Sequence, residues 1–508
     1  MEKQCCALFS HTLLAPLPAA PGSARRVRRG RHGQEVPFMP KRALLFCALL
    51  AACAALLCAC SSQGTGSAPQ SGAEPGGQTA QASAAPARGA QALSDHYWIA
   101  ASPELITRGS ANSAGFYQII MQNNGRSNLL FTDHAAEKQV YLCSTPSCEH
   151  SDASCSSFID SAGYYVFPVA LEDKLLVVYS YIALPDEAPK PSKVEIMDLN
   201  GTNRRTLCEL ENGITLQDGA AASEKSLILC GNRVRENGQG QVQVQPCLFE
   251  IDAGTGACSE LYRTAAAEGE QQKSLFLRGV SDTGFILKTI TTEEYETSED
   301  TQADIERMEN ATVHRVFELP FDGGPEQELL CYRGNAYYEE YSGEALYYLD
   351  YREDESTCDL CRIGPNGAKE ILAEDFAAQP AVRKTTVPFT SGNIFIYGFL
   401  NEYVLVNHLY SEQYDDAGNM ELLYTQYAVN QSTGEITEIT LSNYSMATQK
   451  AINIIAQFGD DLLVDAKEGS ENDSAYRRTG FIRVEDYLAS SPNYRMVDQA
   501  YVESAQLA

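Results

Sequence analysis

The sequence predicts an all-β fold: a β-propeller of about seven four-stranded blades, preceded by a signal peptide and a disordered tether. Two observations predict this arrangement in the 508-residue chain. A short apolar segment recurs at a regular step from about residue 95 to the C-terminus. An apolar run, a cysteine and a long polar stretch precede that repeat. The chain is therefore divided into segments 1–38, 39–59, 60–94 and 95–508.

The repeated segment is a strand of alternating apolar and aromatic residues that follows a polar or Gly-containing turn. Successive copies are 46 to 61 residues apart, and most of them follow another short strand closely, as the second strand of a β-hairpin does. Such units, repeated about seven times, are typical of a β-propeller, and an array of β-sandwiches is the alternative. The copies begin at Leu129, Leu175, Leu227, Phe285, Leu346, Tyr403 and Leu462.

Several repeats also end in a turn rich in Asn, Asp and Gly, followed by a last strand. Asn and Gly accept the positive φ that tight hairpin turns require. These turns predict that the third and fourth strands of each blade form a hairpin. The glycines in matching places are Gly201, Gly254, Gly323, Gly367 and Gly434.

The N-terminal region contains a basic pair, Lys41 and Arg42, followed by an apolar run over residues 43–59 and then by Cys60. A basic n-region and an apolar h-region of this length predict a signal peptide, and an uncleaved transmembrane anchor is the alternative. Met39 is the better start for that signal, so we interpret residues 1–38 as a misassigned upstream extension. An unusually long n-region is the other interpretation of those residues.

The segment Leu57-Cys58-Ala59-Cys60 resembles the lipobox of bacterial lipoproteins, although Cys58 stands where that family usually has Ala, Ser or Thr. The resemblance implies cleavage before Cys60 and a diacylglycerol thioether on its sulfur. It also implies a lipid anchor in the membrane and a location on the outer face of the bacterial cytoplasmic membrane.

Residues 61–94 are almost entirely Ser, Gly, Ala, Gln and Pro. Such a segment buries too little apolar area to order itself, and as a flexible linker it has a reach of about 30 Å. The whole chain has a net charge of −29, which repels nucleic acid phosphate and anionic lipid head groups. We therefore expect no nucleic acid partner.

One compact cluster of metal-binding residue types follows the first repeat: Cys143, Cys148, His150 and Cys155. Three thiolates and one imidazole complete a tetrahedral structural zinc site with no open position for water. A disulfide, for instance between Cys148 and Cys155, is the alternative, and free thiols are a third state. The pair Cys358 and Cys361 has redox-motif spacing but lies in a predicted strand over residues 357–363, which favours structural cysteines.

The repeat over residues 95–508 resembles the TolB-like propellers, and more narrowly the lipoprotein-anchored propellers named for their likeness to the low-density-lipoprotein-receptor-related propeller. Those proteins often carry a Cys-His-Cys stretch similar to residues 143–155 after the first blade strand. The resemblance implies a binding or scaffolding module on the surface of Gram-positive bacteria.

No recognised catalytic motif is present, and the remaining histidines of the mature part are far apart in sequence. The first hypothesis is therefore a tethered module that binds a protein, peptide or glycan. The alternative is an extracellular glycan-active hydrolase or lyase on the same scaffold, and an accessory role beside a transporter is a third hypothesis. A catalytic site requires His, Asp, Glu or Arg to converge at one mouth of the axis. The histidines in question are His96, His134, His314 and His408.

Overall fold

The computed structural model describes fifteen segments between residues 97 and 500, all in the second of the chain's two compact units, residues 83–508. The predicted signal peptide, Cys60, the linker and His96 lie outside the described residues. In the described part of the chain, no helix combines the length and the apolar character that crossing a membrane requires. The segments are 97–101, 109–122, 125–182, 190–236, 242–264, 272–297, 301–334, 339–342, 345–351, 357–377, 382–383, 394–414, 420–445, 448–466 and 478–500.

After a short N-terminal strand, β1 (Trp98–Ala101), the chain forms antiparallel sheets of four consecutive strands. Blade 1 contains β2 (Gly109–Asn112), β3 (Gly115–Gln122), β4 (Arg126–Asp133) and β5 (Lys138–Tyr141), and β6 (Phe158–Asp160) pairs with β4. Blade 2 contains β7 (Tyr164–Ala170), β8 (Lys174–Tyr181), β9 (Lys193–Asp198) and β10 (Arg205–Glu209). Blade 3 contains β11 (Ile214–Ala222), β12 (Ser226–Glu236), β13 (Val242–Asp252) and β14 (Cys258–Arg263).

Blades 4 to 7 follow the same order. Blade 4 contains β15 (Gln272–Val280), β16 (Gly284–Thr292), the helix α1 (Thr301–Ala311), β17 (Thr312–Pro320) and β18 (Gln327–Arg333). Blade 5 contains β19 (Glu339–Ser342), β20 (Ala345–Tyr351), β21 (Thr357–Ile363) and β22 (Lys369–Ala377). A short strand, β23 (Val382–Arg383), then pairs in parallel with β25 of blade 6, which contains β24 (Ile394–Leu400), β25 (Tyr403–Tyr414), β26 (Met420–Asn430) and β27 (Ile436–Ile439).

The hairpin β28 (Ser442–Ser445) and β29 (Thr448–Ala451) leads to blade 7, which contains β30 (Ile454–Phe458), β31 (Asp461–Ala466), β32 (Arg478–Arg483), the helix α2 (Val484–Leu488) and β33 (Arg495–Met496). The last strand, β34 (Asp498–Gln499), pairs in parallel with β5 of blade 1. The seven four-stranded blades confirm the predicted propeller.

The core lies between the blades, in seven apolar clusters that each join two neighbouring sheets. Because successive side chains of a strand point to opposite faces, a blade packed on both faces needs a continuous apolar run. In β8, Leu175 and Val177 pack toward blade 1, while Leu176 and Val178 pack toward blade 3. All four are fully buried, and each contributes roughly 1.5–3 kcal/mol by leaving water.

The predicted repeat is in register with the second strand of every blade except the first. Leu175, Leu227, Phe285, Leu346, Tyr403 and Leu462 all lie in second strands, but Leu129 lies in β4, the third strand of blade 1. The equivalent second strand is β3, where Phe116 and Tyr117 are buried. Leu129 and Leu130 of this third strand are themselves fully buried, so their apolar run resembles that of a second strand.

The turns between third and fourth strands have the predicted chemistry. Positive φ occurs at Gly201, Gly323, Gly367 and Gly434, but in blade 3 it occurs at Gly256 and not at the predicted Gly254. The carboxylate of Asp252 accepts hydrogen bonds from the backbone N–H groups of Gly254 and Thr255. This Asx turn places the left-handed position two residues later than the sequence pattern suggested.

Blade 7 closes against blade 1 through a small apolar cluster and an ionic network. Phe116 of blade 1 packs with Phe481 and Val497. Asp461 at the start of β31 pairs with His134 Nε2 at 3.1 Å and with Arg495 Nη2 at 3.0 Å. Burial acts to raise the pKa of Asp461, but the hydrogen bonds from His134 and Arg495 outweigh it and lower the pKa.

The first strands of the blades are the innermost ones, because β2 contacts β7 and β15 contacts both β11 and β19. Strand β1 pairs with β11 and also contacts β2, β7 and β15. A strand in contact with the innermost strands of four blades lies at the propeller axis. Its preceding residue, Tyr97, is buried against Phe285 with ring centroids 5.1 Å apart. The described N-terminal segment therefore fills part of the axial space.

The two ends of the propeller differ in their connections. We call the end with the first-to-second strand turns, such as 171–173 and 401–402, the turn face; those turns contain two or three residues. We call the opposite end, where second strands lead to third strands and one blade leads to the next, the loop face. Six connections of ten residues or more join described strands whose ends lie at the loop face, namely 142–163, 182–192, 293–311, 378–393, 440–453 and 467–477, whereas 484–494 is the one connection of that length between described strand ends at the turn face.

The first described strand, β1, begins at the turn face. Strand β1 runs antiparallel to β11, with Trp98 opposite Ala222 and Ala101 opposite Ala220. Ala222 is the last residue of β11 and leads into the turn at residues 223–225. Tyr97 and the start of β1 therefore lie at the turn face, opposite the strand ends that the long connections join.

Candidate metal centre

The four predicted metal ligands come together in one loop on the loop face. The loop follows β5 and leads through β6 to blade 2. One ligand atom from each of the four residues, Cys143, Cys148, His150 and Cys155, lies within 4.8 Å of the other three. Zinc bonds of about 2.3 Å to sulfur and about 2.0 Å to nitrogen place tetrahedral ligands about 3.5–3.8 Å apart. The donor set and its spacing therefore fit a structural zinc ion.

His150 is held with its Nδ1 atom toward the thiols. Nδ1 lies 3.2 Å from Cys155 Sγ. The imidazole stacks on the Tyr141 ring at a centroid distance of 4.2 Å and an interplanar angle of 13°. Its backbone is left-handed, with φ of 54°, and its carbonyl accepts a hydrogen bond from Asn128 Nδ2 at 3.0 Å. Such outer contacts fix the direction of a ligand ring.

Cys155 is the most buried of the four residues and connects the cluster to blade 1. Its Sγ lies 3.1 Å from the Ser157 hydroxyl, and that hydroxyl accepts a hydrogen bond from Asn128. The carbonyl of Ser157 accepts a hydrogen bond from the backbone N–H of Leu129 in β4 at 2.8 Å. The far end of the loop is thus fixed to the sheet, whereas Cys143 and Cys148 are partly exposed.

The thiols differ in acidity. Burial acts to raise the pKa of Cys143, but hydrogen bonds with Thr145, Cys155 and Cys148 outweigh it and lower the pKa to about 7. For Cys148, a backbone hydrogen bond with His150 acts to lower the pKa, but burial and the thiols of Cys155 and Cys143 raise it overall. The lowered pKa means that Cys143 gives up its proton more readily than an ordinary cysteine, and a metal ion binds cysteine in that deprotonated form.

The competing interpretation of this cluster is a disulfide between two of its cysteines. The structure describes all three as free thiols, and a disulfide would bring two sulfurs to about 2.05 Å. The same close grouping of the three sulfurs is therefore compatible with a bound zinc ion and with a disulfide. The choice of zinc over a disulfide stays a prediction.

The second cysteine motif, Cys358 and Cys361, lies in β21 as predicted. The two side chains point to opposite faces of blade 5, because Cys358 packs toward blade 6 and Cys361 packs toward blade 4. Burial above all raises the pKa of Cys358 to about 12 and that of Cys361 to about 11. Two inert thiols on opposite faces cannot act as a redox pair.

The described histidines do not converge. His134 lies between blades 1 and 7, beside Asp461 and stacked on Phe458. His314 lies in β17, in the interface with blade 5, and His408 is buried in β25 of blade 6. Each occupies a different part of the propeller, and His150 belongs to the cysteine cluster. The described residues thus bring no histidine pair together at the axis.

No protein-family model matches the sequence, and no curated protein matches it. The fold is similar to solved propeller structures at low identity. One is an oligogalacturonate lyase in complex with manganese, with 11% identity, 74% of this chain and 91% of that chain covered and a TM-score of 0.38. A prolyl endopeptidase structure has 10% identity, covers 79% of this chain and 50% of its own, and has a TM-score of 0.43.

A third similar structure is the β-propeller domain of the Trilobed protease from Pyrococcus furiosus, with 9% identity, 67% of this chain and 97% of that chain covered and a TM-score of 0.33. These likenesses concern the fold alone. The resemblance to TolB-like and lipoprotein-anchored propellers stays a prediction, and the choice between a binding and an enzymatic role rests on the chain's own residues.

A buried ionic cluster that the sequence analysis did not predict lies between blades 4 and 5. Lys288 of β16 forms an ion pair with Glu339 of β19, and their side chains are 7% and 1% exposed. The Tyr332 hydroxyl donates to Glu339 Oε2 at 2.5 Å and accepts from Lys288 Nζ at 3.2 Å. The His314 ring stacks on Tyr332 at a centroid distance of 4.6 Å. A lysine within the apolar strand Phe285–Ile290 was the only available signal.

Proposed function

We propose that this chain is a cell-surface lipoprotein whose β-propeller is a binding or scaffolding module that presents the loop face to its partner. The anchor is the lipidated Cys60 on the outer face of the cytoplasmic membrane, with residues 61–94 as the tether. The zinc-stapled loop over Cys143–Cys155 contributes to the rigid part of that face. The partner is a protein, a peptide or a glycan.

One observation carries this proposal: the strand ends that the long connections join lie at the loop face, and β1 begins at the opposite end, the turn face. Loops that are positioned by a rigid scaffold are the usual carriers of binding residues. A chain tethered through its N-terminus is attached at the end with the tight turns, so the loop face is the end that the tether leaves free. The strong negative charge favours selectivity against polyanions.

The alternative is an extracellular glycan-active hydrolase or lyase. An enzyme on this scaffold needs acid and base groups that converge near the axis. Strand β1 lies at the axis, and the described histidines are held in separate interfaces. These features favour the binding module.

Photo-crosslinking from the two faces tests the binding surface. In cells that produce the full chain, benzoylphenylalanine at Asn212 or Glu294 on the loop face should give a discrete higher-mass adduct after irradiation. The matched turn-face positions, Asp173 and Glu402, should give none; all four side chains are exposed. Adducts of equal yield from both faces, or from the turn face alone, would overturn the proposal.

Metabolic labelling tests the anchor. A clickable fatty acid should mark the wild-type chain, and Cys60→Ala should abolish the mark because the thioether has no other sulfur at the cleavage point. The variant Cys58→Ala is the matched control and should keep the label. A label that persists in Cys60→Ala, or that depends on Cys58 instead, contradicts the lipidation of Cys60.

A further inference from the structure

Two cysteines of different blades meet at the rim of the propeller. Cys208 lies in β10 and Cys258 is the first residue of β14, so they belong to the fourth, outermost strands of blades 2 and 3. Fourth strands of neighbouring blades diverge as they leave the axis, and a contact between them needs a specific cause. Here the cause is the turn that precedes β14.

That turn packs directly on the neighbouring blade. A Cβ atom added to Gly256 would lie 1.9 Å from the backbone carbonyl oxygen of Leu207. The glycine has a φ of 76° and therefore lets the two backbones touch. Leu207 is followed by Cys208, and Gly256 is followed two residues later by Cys258. The backbone contact thus brings the two cysteines to the same point of the rim.

The same junction occurs elsewhere without a pair of thiols. Gly201 of blade 2 lies against the Leu142 carbonyl of blade 1, and Gly434 of blade 6 lies against the Leu372 carbonyl of blade 5. At the first of these junctions, the residues that correspond to Cys208 and Cys258 are Cys143 and Asn203. At the second junction, they are Ala373 and Ile436. Of these three junctions, the one between blades 2 and 3 alone has cysteine on both sides.

The two thiols also share a hydrogen bond. Cys208 is buried in the cluster between blades 2 and 3, whereas Cys258 is exposed. The hydrogen bond with Cys258 lowers the pKa of Cys208 to about 7, although burial acts against it. The same hydrogen bond raises the pKa of Cys258. One partner is thus ready to be the thiolate, and the other keeps its proton.

We propose that Cys208 and Cys258 form a disulfide that joins the rims of blades 2 and 3. The oxidant is a donor disulfide, either a small molecule or a thiol–disulfide oxidoreductase. A thiolate of the pair attacks one donor sulfur and releases the first donor thiolate. The second cysteine, after losing its proton, attacks the mixed disulfide and releases the second donor thiolate. The two cysteines lose two electrons and two protons, and the donor is reduced to two thiols.

The bond closes a chain segment of about 50 residues, and a disulfide of that span restricts the unfolded chain strongly. We expect oxidation to raise the Tm of the purified full chain by roughly 5 °C. Disulfides form and persist in oxidising environments outside the cytoplasm. Formation of this bond in the cell therefore depends on the proposed export of the chain. The chemistry itself does not depend on lipidation or on a partner.

Peptide mapping tests the inference on the purified full chain in buffer that contains zinc. After equilibration with a mixture of oxidised and reduced glutathione, the non-reducing digest should contain a Cys208–Cys258 peptide, and the free-thiol count should fall by two. Cys258→Ser removes an exposed side chain and should abolish both the linked peptide and the rise in Tm. The control Cys331→Ser changes an exposed cysteine in the fourth strand of blade 4 and should alter neither.

Two results would overturn the proposal. One is an oxidised wild-type chain in which Cys208 and Cys258 are both still alkylated by iodoacetamide after unfolding. The other is a digest in which either cysteine is linked to a different residue. Cys208→Ser distinguishes an effect on folding from loss of the bond, because its circular dichroism should match that of the reduced wild type. Both outcomes are independent of the crosslinking and labelling results above.

Discussion

Replacing Glu339 with glutamine is expected to lower the free energy of unfolding by about 3–5 kcal/mol, because it leaves the Lys288 ammonium buried without its counter-charge. The glutamine keeps the shape of the glutamate and can still accept a hydrogen bond from Tyr332. The expected decrease in the free energy of unfolding therefore comes from the lost charge and not from a change in packing. Burial, together with the positive charges of Lys288 and Arg278, lowers the pKa of His314 to about 3, so that ring is neutral and adds no further charge at neutral pH.

Denaturant unfolding of the purified chain measures this effect, and two variants control it. The double variant Lys288→Met, Glu339→Gln removes both charges and should recover most of the loss, since a buried pair can be replaced by apolar groups at little cost. Glu370→Gln breaks the Arg362–Glu370 pair, whose glutamate side chain is 56% exposed, and should cost less than about 1 kcal/mol. A loss in Glu339→Gln no larger than that of Glu370→Gln would show that the pair contributes little.

The repeat was readable from the sequence because each blade is a local unit. The segment Leu175–Val178 is apolar at every position, since it is buried on both faces, and the same character recurs in each second strand. Turn residues such as Asp198 and Gly201 mark the hairpin that follows. Local patterns of this kind predict the class of the fold and the number of units without any knowledge of their contacts.

The features that the sequence did not predict depend on contacts between distant residues. Strand β1 is only four residues long and finds its partner β11 more than one hundred residues later. Lys288 and Glu339 lie in different blades, and so do Cys208 and Cys258. No periodicity within one strand indicates which face of which neighbour its side chains will meet. Only the circular order of the blades brings these pairs together.

The cysteine cluster combines a feature that local sequence predicts with features that depend on distant contacts. Its four residues lie within thirteen positions of one another, so their grouping could be predicted from spacing alone. The supporting contacts could not, because Asn128 and Ser157 come from β4 and from the end of the loop. The left-handed backbone of His150 is likewise a property of the folded loop. Spacing predicted the ligands, and the tertiary structure supplied their orientation.

The second large expected effect concerns the ligand Cys155. We expect the wild-type chain, purified with zinc and without reductant, to hold about one zinc ion, and Cys155→Ser to hold none. A structural zinc site contributes its binding free energy to folding. We therefore expect the variant to lose more than about 5 °C in Tm. Metal content by mass spectrometry and thermal unfolding measure the two effects.

The contacts of the loop explain why loss of the zinc ion should also destabilise the sheet of blade 1. The Leu142 N–H donates to the Leu129 carbonyl at 3.0 Å, and the Ser156 hydroxyl donates to the Leu142 carbonyl at 2.7 Å. These bonds hold both ends of the loop on β4, and zinc would fix the segment between them. Without the ion, residues 143–155 should become the first site of limited proteolysis, which mapping of the cut sites can locate.

Two controls separate zinc from the disulfide alternative. Cys331→Ser removes a cysteine of blade 4 and should keep the zinc ion. Treatment of the wild type with a chelator should release the zinc and make the thiols of Cys143, Cys148 and Cys155 reactive without any reductant. A wild-type chain that holds no metal, and in which two of these three thiols react only after reduction, would instead establish a disulfide-braced loop. In that case Cys155→Ser should lower the Tm only under oxidising conditions, because reduction would already have opened the bond in the wild type.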